Sequence, residues 1–117
     1  MTGAMNSQAW SAITENERDA HVAQHVYGQT VRLEGKRFYL GSSGTASVPK
    51  YTSTAQGLLG LIAHMRKRGY TDGKFVLREK RFVWIWAGEG KPNLQAGHNY
   101  LIDAAHLAAL KEEDHAA

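Results

Sequence analysis

Apolar residues recur along this chain with two different periods, and the switches between them mark out the elements. Ala23, Val26 and Tyr27, with Ala20 and Val22 beside them, fall at helical spacing. Ahead of them Thr14-Glu15-Asn16-Glu17 has the form of a capping box, in which the threonine oxygen accepts from the Glu17 amide and the Glu17 side chain reaches back. Acids in the first turn suit the positive end of the helix dipole, and Gly28 ends the run. From Thr30 to Leu40 the period drops to two. Val31 and Leu33 flank Arg32, and Phe38 and Leu40 flank Tyr39, with Glu34-Gly35-Lys36 between them. A β-hairpin is predicted, with Gly35 supplying the positive φ of the turn. Gly41 to Ser47 reads as a loop by composition.

A second helix follows, capped by Thr52, Ser53 or Thr54, with Ala55, Leu58, Leu59, Ile62 and Met65 on one face. Arg66-Lys67-Arg68 lie at its negative end and Gly69 stops it. Thr71-Asp72-Gly73 turns the chain into a second hairpin, Lys74 to Arg78 and Arg81 to Ala87, with Glu79-Lys80 at the tip. Phe82-Val83-Trp84-Ile85-Trp86 is apolar at every position, so both faces of that strand are expected to be covered. Gly88 to Gly97 reads as a loop, and Leu101 to Leu110 as a third helix whose Ala104, Ala105, Ala108 and Ala109 permit close approach to the sheet. The pattern predicts an α+β fold, a helix–sheet–helix sandwich in the order α-β-β-α-β-β-α with a mainly antiparallel four-stranded sheet. Residues 1–12 are expected to form a flexible segment, with Trp10 and Ile13 docking on the body of the domain, 13–111 the single domain and 112–117 an acidic tail.

Composition narrows the function classes. The chain has 117 residues, room for one hydrophobic core. It has no cysteine, which excludes disulfides, thiolate zinc sites and thiol catalysis. No apolar stretch approaches the ~20 residues of a membrane span, and no membrane partner is expected. The opening Met1-Thr2-Gly3-Ala4-Met5 lacks the cationic and apolar regions of a secretory signal, so the expected location is cytoplasmic. Charge is unevenly spread. Residues 32–81 carry eleven Lys/Arg against Glu34, Asp72 and Glu79, whereas residues 1–31 and 82–117 are net acidic, and the total is +3. A basic middle points to an anionic partner.

His21 and His25 stand i, i+4, a metal-binding spacing, but Val-Ala-Gln between them lacks a catalytic glutamate, and no metal or other cofactor is expected. The Gly41–Ser47 loop has glycines without a lysine in register, and no Gly-x-Ser-x-Gly elbow occurs. Gly57-Leu58-Leu59-Gly60 lies in an apolar helix, where close packing explains the glycines better than a nucleic-acid clamp. No catalytic residue stands out. Lys50, Tyr51, Thr52 and Ser53 at the entry to the second helix form a candidate anion site. The stronger candidate is the cationic set Arg66, Lys67, Arg68, Lys74, Arg78, Lys80 and Arg81, with Tyr70 available for stacking, which could follow a phosphate backbone.

Three segments taken together carry a family resemblance: Asp19-Ala20-His21-Val22-Ala23-Gln24-His25-Val26-Tyr27-Gly28, then Val48-Pro49-Lys50-Tyr51-Thr52-Ser53, then Ala104-Ala105-His106-Leu107-Ala108-Ala109-Leu110. In order and spacing they resemble the small phage and prophage proteins grouped as the phage ABA sandwich domain, over about residues 15–111. The sequence departs from that pattern at Tyr51-Thr52-Ser53, where Tyr-Ser-Thr is common, and at Gln29, where an aromatic residue often follows the glycine. The resemblance implies an alpha-beta-alpha sandwich and a phage or prophage origin, and it implies no chemistry. The expectation is therefore an accessory protein that acts by binding a host or phage protein, such as an antiviral defence component. Nucleic-acid or nucleotide binding through residues 66–81 is the alternative, and a free sheet edge leaves a homodimer open.

Overall fold

The computed structural model describes residues 5–115, which form α1 (Ser7–Ala12), α2 (Glu15–His25), β1 (Val31–Glu34), β2 (Arg37–Leu40), α3 (Ala55–Lys67), β3 (Asp72–Arg78), β4 (Arg81–Ala87), β5 (Leu94–His98), α4 (Leu101–Leu110) and α5 (Glu112–His115). The class is α+β, as the pattern predicts. The capping box ahead of α2 forms in both directions, Glu17 N–H to Thr14 Oγ1 at 3.2 Å and Thr14 N–H to Glu17 Oε1 at 3.1 Å. Of the three candidate caps on α3, Thr54 is the one used, its Oγ1 accepting from the Gly57 amide at 3.0 Å.

The strands depart from expectation in number and grouping. β1 and β2 pair with each other, Val31 opposite Leu40 and Glu34 opposite Arg37, and β2 adds one isolated antiparallel bridge from Tyr39 to Ser47. β3, β4 and β5 form a separate antiparallel sheet in that order. The predicted four-stranded sheet is thus two sheets, of two and three strands. The additional strand, β5, comes from the end of the segment read as a loop. Gly97 and the nearby Pro92 hid a period-two pattern in which Leu94 and His98 are buried while Gln95 is exposed.

The layers are also rearranged. α4 is buried from Asp103 through Leu110, on every side. On one side it packs against β4 and β5, with Ala104, Ala105, Ala108 and Ala109 in one core cluster with Trp84, Trp86 and Leu94. On the others it meets α2 and α3. The central layer is therefore a helix, where the sequence placed the sheet there, and small alanines let three elements approach one helix axis. The β1–β2 hairpin lies against α2. α3 buries Leu61 and Met65, with Leu58 and Ile62 partly covered, while Ala55 and Leu59 from the predicted stripe are exposed. Leu58, Leu61, Ile62 and Met65 follow i, i+3, i+4, i+7 without a gap, the better helical stripe.

Both ends are more ordered than the composition implied. Asn6 caps α1 through the Ala9 amide, and Trp10 is completely buried against Val22, Leu107 and Leu110. Its indole N–H donates to Asp103 Oδ1 at 2.7 Å. The segment read as an acidic tail begins with α5, whose Glu112 pairs with Arg68 and Glu113 with His25. Residues 1–4, the start of the predicted flexible segment, and 116–117 lie outside the described residues.

Candidate binding surface

The two faces of the three-stranded sheet carry different chemistry. Register puts Gly73, Phe75 and Leu77 of β3 opposite Trp86, Trp84 and Phe82 of β4, on the face that α4 covers. The other face presents Lys74, Val76 and Arg78 from β3, Arg81, Val83 and Ile85 from β4, and Gln95 and Gly97 from β5. Val76, Val83 and Ile85 are half-buried by their neighbours and belong to neither core cluster. Among the described residues no helix packs on them, since α4 occupies the tryptophan face and α1 the β5 side. The expectation that both faces of β4 are covered thus holds for one face only. The result is an apolar strip framed by cations.

The predicted cationic set is split by the fold. Lys74, Arg78, Lys80 and Arg81 come together around the β3–β4 hairpin, and all four are exposed. Arg81 is partly committed, donating to Ser7 Oγ at 2.7 Å and to the Gly97 carbonyl at 2.9 Å. Arg66, Lys67 and Arg68 sit at the end of α3, and Arg68 is taken by Glu112, whose carboxylate pushes the guanidinium pKa up. Tyr70 is not a stacking surface. It is 2% exposed, in the main core, with the Lys91 ammonium over its ring at 5.6 Å. The exposed aromatic on this hairpin is Phe75, half exposed and stacked on Trp84. Sequence reasoning missed the apolar centre formed by Val76, Val83 and Ile85. A signal was present: Lys74, Val76 and Arg78 share one parity, so one face of β3 is amphipathic and cationic.

The candidate anion site at Lys50, Tyr51, Thr52 and Ser53 is already filled from inside. Asp19, 2% exposed, accepts from the Thr52 amide at 2.9 Å and from the Thr52 hydroxyl at 2.8 Å. Burial pushes the Asp19 carboxyl pKa up, while the two Thr52 bonds pull it down. An external anion at Thr52 would meet that carboxylate. The Tyr51 hydroxyl donates to Gln29, the Lys50 carbonyl accepts from Thr54, and Ser53 is exposed. The segment therefore serves to join α2 to α3.

The histidines also resolve into structural roles. His21 and His25 stack at 4.3 Å between ring centroids, and the His25 Nδ1 lies 2.9 Å from Glu113 Oε2. Burial and the neighbouring His25 push the His21 pKa down. Among the described residues no group of three His, Asp or Glu side chains is arranged to hold a metal ion. Ser11, His98 and Asp103 have the composition of a hydrolytic triad, and Ser11 Oγ lies 3.0 Å from His98 Nε2. The hydrogen bonds assign the opposite roles. His98 Nδ1 accepts from the Tyr100 amide at 3.1 Å and stands 3.9 Å from Asp103 Oδ2. A neutral ring with Nδ1 as acceptor carries its proton on Nε2 and donates to Ser11. Burial lowers the His98 pKa, favouring that neutral form. Such a histidine has no lone pair to take the Ser11 proton, so the trio acts as a brace between α1 and the start of α4.

No protein-family model, curated protein or solved structure matches this chain.

Proposed function

We propose that this chain acts by binding another macromolecule, and that the open face of the β3-β4-β5 sheet is the contact surface. One observation carries the reading: among the described residues no helix lies over the apolar strip of Val76, Val83 and Ile85, bordered by Lys74, Arg78 and Arg81. An apolar centre within a polar rim is the anatomy of a protein-binding patch, and the cations select a partner with an acidic surface. The motif resemblance to the phage ABA sandwich proteins supports a phage or prophage origin, although the layer order found here differs from a helix–sheet–helix sandwich. On that basis the partner class is a host protein, such as a component of antiviral defence, met in the bacterial cytoplasm. No helix among the described residues is long and apolar enough to cross a membrane.

A second reading has its own observation. Phe75 is exposed on the edge strand of the hairpin that also carries Lys74, Arg78 and Lys80, so single-stranded nucleic acid could stack there while its phosphates meet the cations across the edge. The open face itself carries no aromatic ring, and for that reason the protein partner ranks first.

The test uses Val83→Glu/Ile85→Glu, which places two carboxylates in the centre of the open face, with circular dichroism to verify the fold. The proposal expects a bacterial protein that the wild-type chain retains in stoichiometric amount and the double variant loses. Identical retention by both chains overturns it. Fluorescence anisotropy against labelled single-stranded RNA and DNA decides the second reading: binding that weakens steeply with salt supports it, and a flat response at low salt retires it.

A further inference from the structure

The two edges of the three-stranded sheet are treated differently. β5 is screened by α1, through the Ser11–His98 contact and the Arg81 bonds to Ser7 and Gly97. β3 pairs with β4 alone, and among the described residues no other element packs along its outer side. It is seven residues long, runs without a bulge or proline, and leaves Phe75 and Leu77 50% and 65% exposed. An edge with these features is a template for another strand.

The geometry of the hairpin fixes which groups are on offer. Glu79 and Lys80 both have positive φ, 53° and 66°, so the two-residue turn is type I′ and closes on a hydrogen-bonded pair, Arg78 with Arg81. Alternation along the ladder then directs the amides and carbonyls of Asp72, Lys74, Val76 and Arg78 toward β4. Those of Gly73, Phe75 and Leu77 point outward, with no partner among the described residues.

We propose that a second copy of this chain pairs with β3, antiparallel, about a two-fold axis through Phe75. The strand reads as its own complement in that register. Phe75 falls opposite Phe75 of the second copy and exchanges both hydrogen bonds with it. Gly73 falls opposite Leu77, and it has no side chain because the Trp84 and Trp86 indoles already lie over it. A Cβ there would stand 2.6 Å from Trp86. The leucine of one copy therefore rests against the tryptophans of the other. Asp72 falls opposite Arg78, an opposite-charge pair that occurs twice by symmetry. Lys74 falls opposite Val76, whose methyls its aliphatic stem covers. The contact is isologous and closes at two copies, so it removes the free edge and does not propagate it. It does not rest on the binding face described above, although it would make the two open faces continuous.

Sedimentation velocity of the full chain over a concentration series tests the proposal. The expected result is a monomer–dimer equilibrium with a dissociation constant in the micromolar range. Leu77→Pro removes an outward amide that the monomer does not use, a position where an edge strand tolerates proline, and it should give a monomer with unchanged circular dichroism. Asp72→Arg should weaken the dimer at least about tenfold by facing Arg78 with a like charge, and Asp72→Arg/Arg78→Asp should restore it. A monomer at millimolar concentration overturns the proposal. So does a dimer that survives a folded Leu77→Pro chain, or one that the charge reversal does not weaken and the double exchange does not rescue. Should Leu77→Pro fail to fold, the charge pair alone decides.

Discussion

His106 shows how a single polar residue can be bound into an apolar helix at a cost that depends on pH. It is completely buried in α4, and its Nδ1–H donates to the Ile102 carbonyl at 2.9 Å while Nε2 has no partner. Burial pushes its pKa from 6.5 down to about 4. The unfolded chain therefore binds a proton below pH 6.5 that the folded chain refuses until about pH 4, and stability rises with pH across that window. The linkage amounts to about 3 kcal/mol, fully lost once the pH has fallen through the lower value. His21, His64 and His98, also lowered by burial, act in the same sense. Asp19 opposes them in the window just above its ordinary 3.8, where the folded form holds a proton that the unfolded chain has released. Urea midpoints measured from about pH 7.5 to about pH 4.5 should fall steadily, and His106→Leu should remove the largest share of that slope. An unchanged slope in the variant would place the titrating group elsewhere. None of this was legible beforehand. His106 reads in sequence as one of six histidines, and only the layer order reveals that its helix has no solvent face.

The two glycines of α3 behave as opposites. In sequence Gly57 and Gly60 form a symmetrical Gly-x-x-Gly within an apolar helix, and close packing accounts for both. Packing in fact concerns one of them. A Cβ on Gly57 would fall 1.9 Å from the Tyr51 carbonyl oxygen, a backbone atom held by the turn that Thr52 makes with Asp19. A Cβ on Gly60 would meet nothing nearer than the Tyr27 hydroxyl at 3.9 Å. Gly57→Ala should therefore lower stability by about 3 kcal/mol, through a clash that no flexible side chain can relieve. Gly60→Ala, at an exposed helical position, should raise it by about 1 kcal/mol through helix propensity. Thermal melts of the two variants separate the cases, and equal shifts would refute the packing account. Elements defined by local signals were legible: the capping box of α2, the hairpins at Gly35 and at Glu79-Lys80, and the alanines of α4. β5 was not, because its pairing with β4 is non-local and its glycine looks like loop punctuation.

For the whole molecule, sequence patterning identified which segments are apolar but not how they stack. The run Phe82 to Trp86 reads as a strand covered on both faces, and placing the sheet in the middle follows from that. Yet α4 is the more apolar element, with only Asp103 and His106 breaking its ten residues, and it takes the centre. The displaced second face of the sheet becomes the candidate binding surface. The same arrangement moves the domain boundary. A unit of residues 13–111 follows from the lack of periodicity before Ile13, but Trp10 is completely buried and, among the described residues, supplies the one hydrogen bond that Asp103 Oδ1 receives. Removing residues 1–12 forfeits about 3–5 kcal/mol for the tryptophan. It also leaves a buried carboxylate short of a donor, about 1–3 kcal/mol more. Against the 5–15 kcal/mol of an ordinary domain, that sum takes the shortened chain to the edge of folding. The 13–111 piece should therefore lose its cooperative melt and bind a hydrophobic dye, whereas a 5–115 piece should melt like the full chain. Trp10→Phe, which keeps a ring and loses the N–H, should fall between them. A 13–111 piece with an undiminished Tm would show that α1 is an appendage, and the brace that ties Ser11 and Trp10 to His98 and Asp103 would then carry no part of the stability.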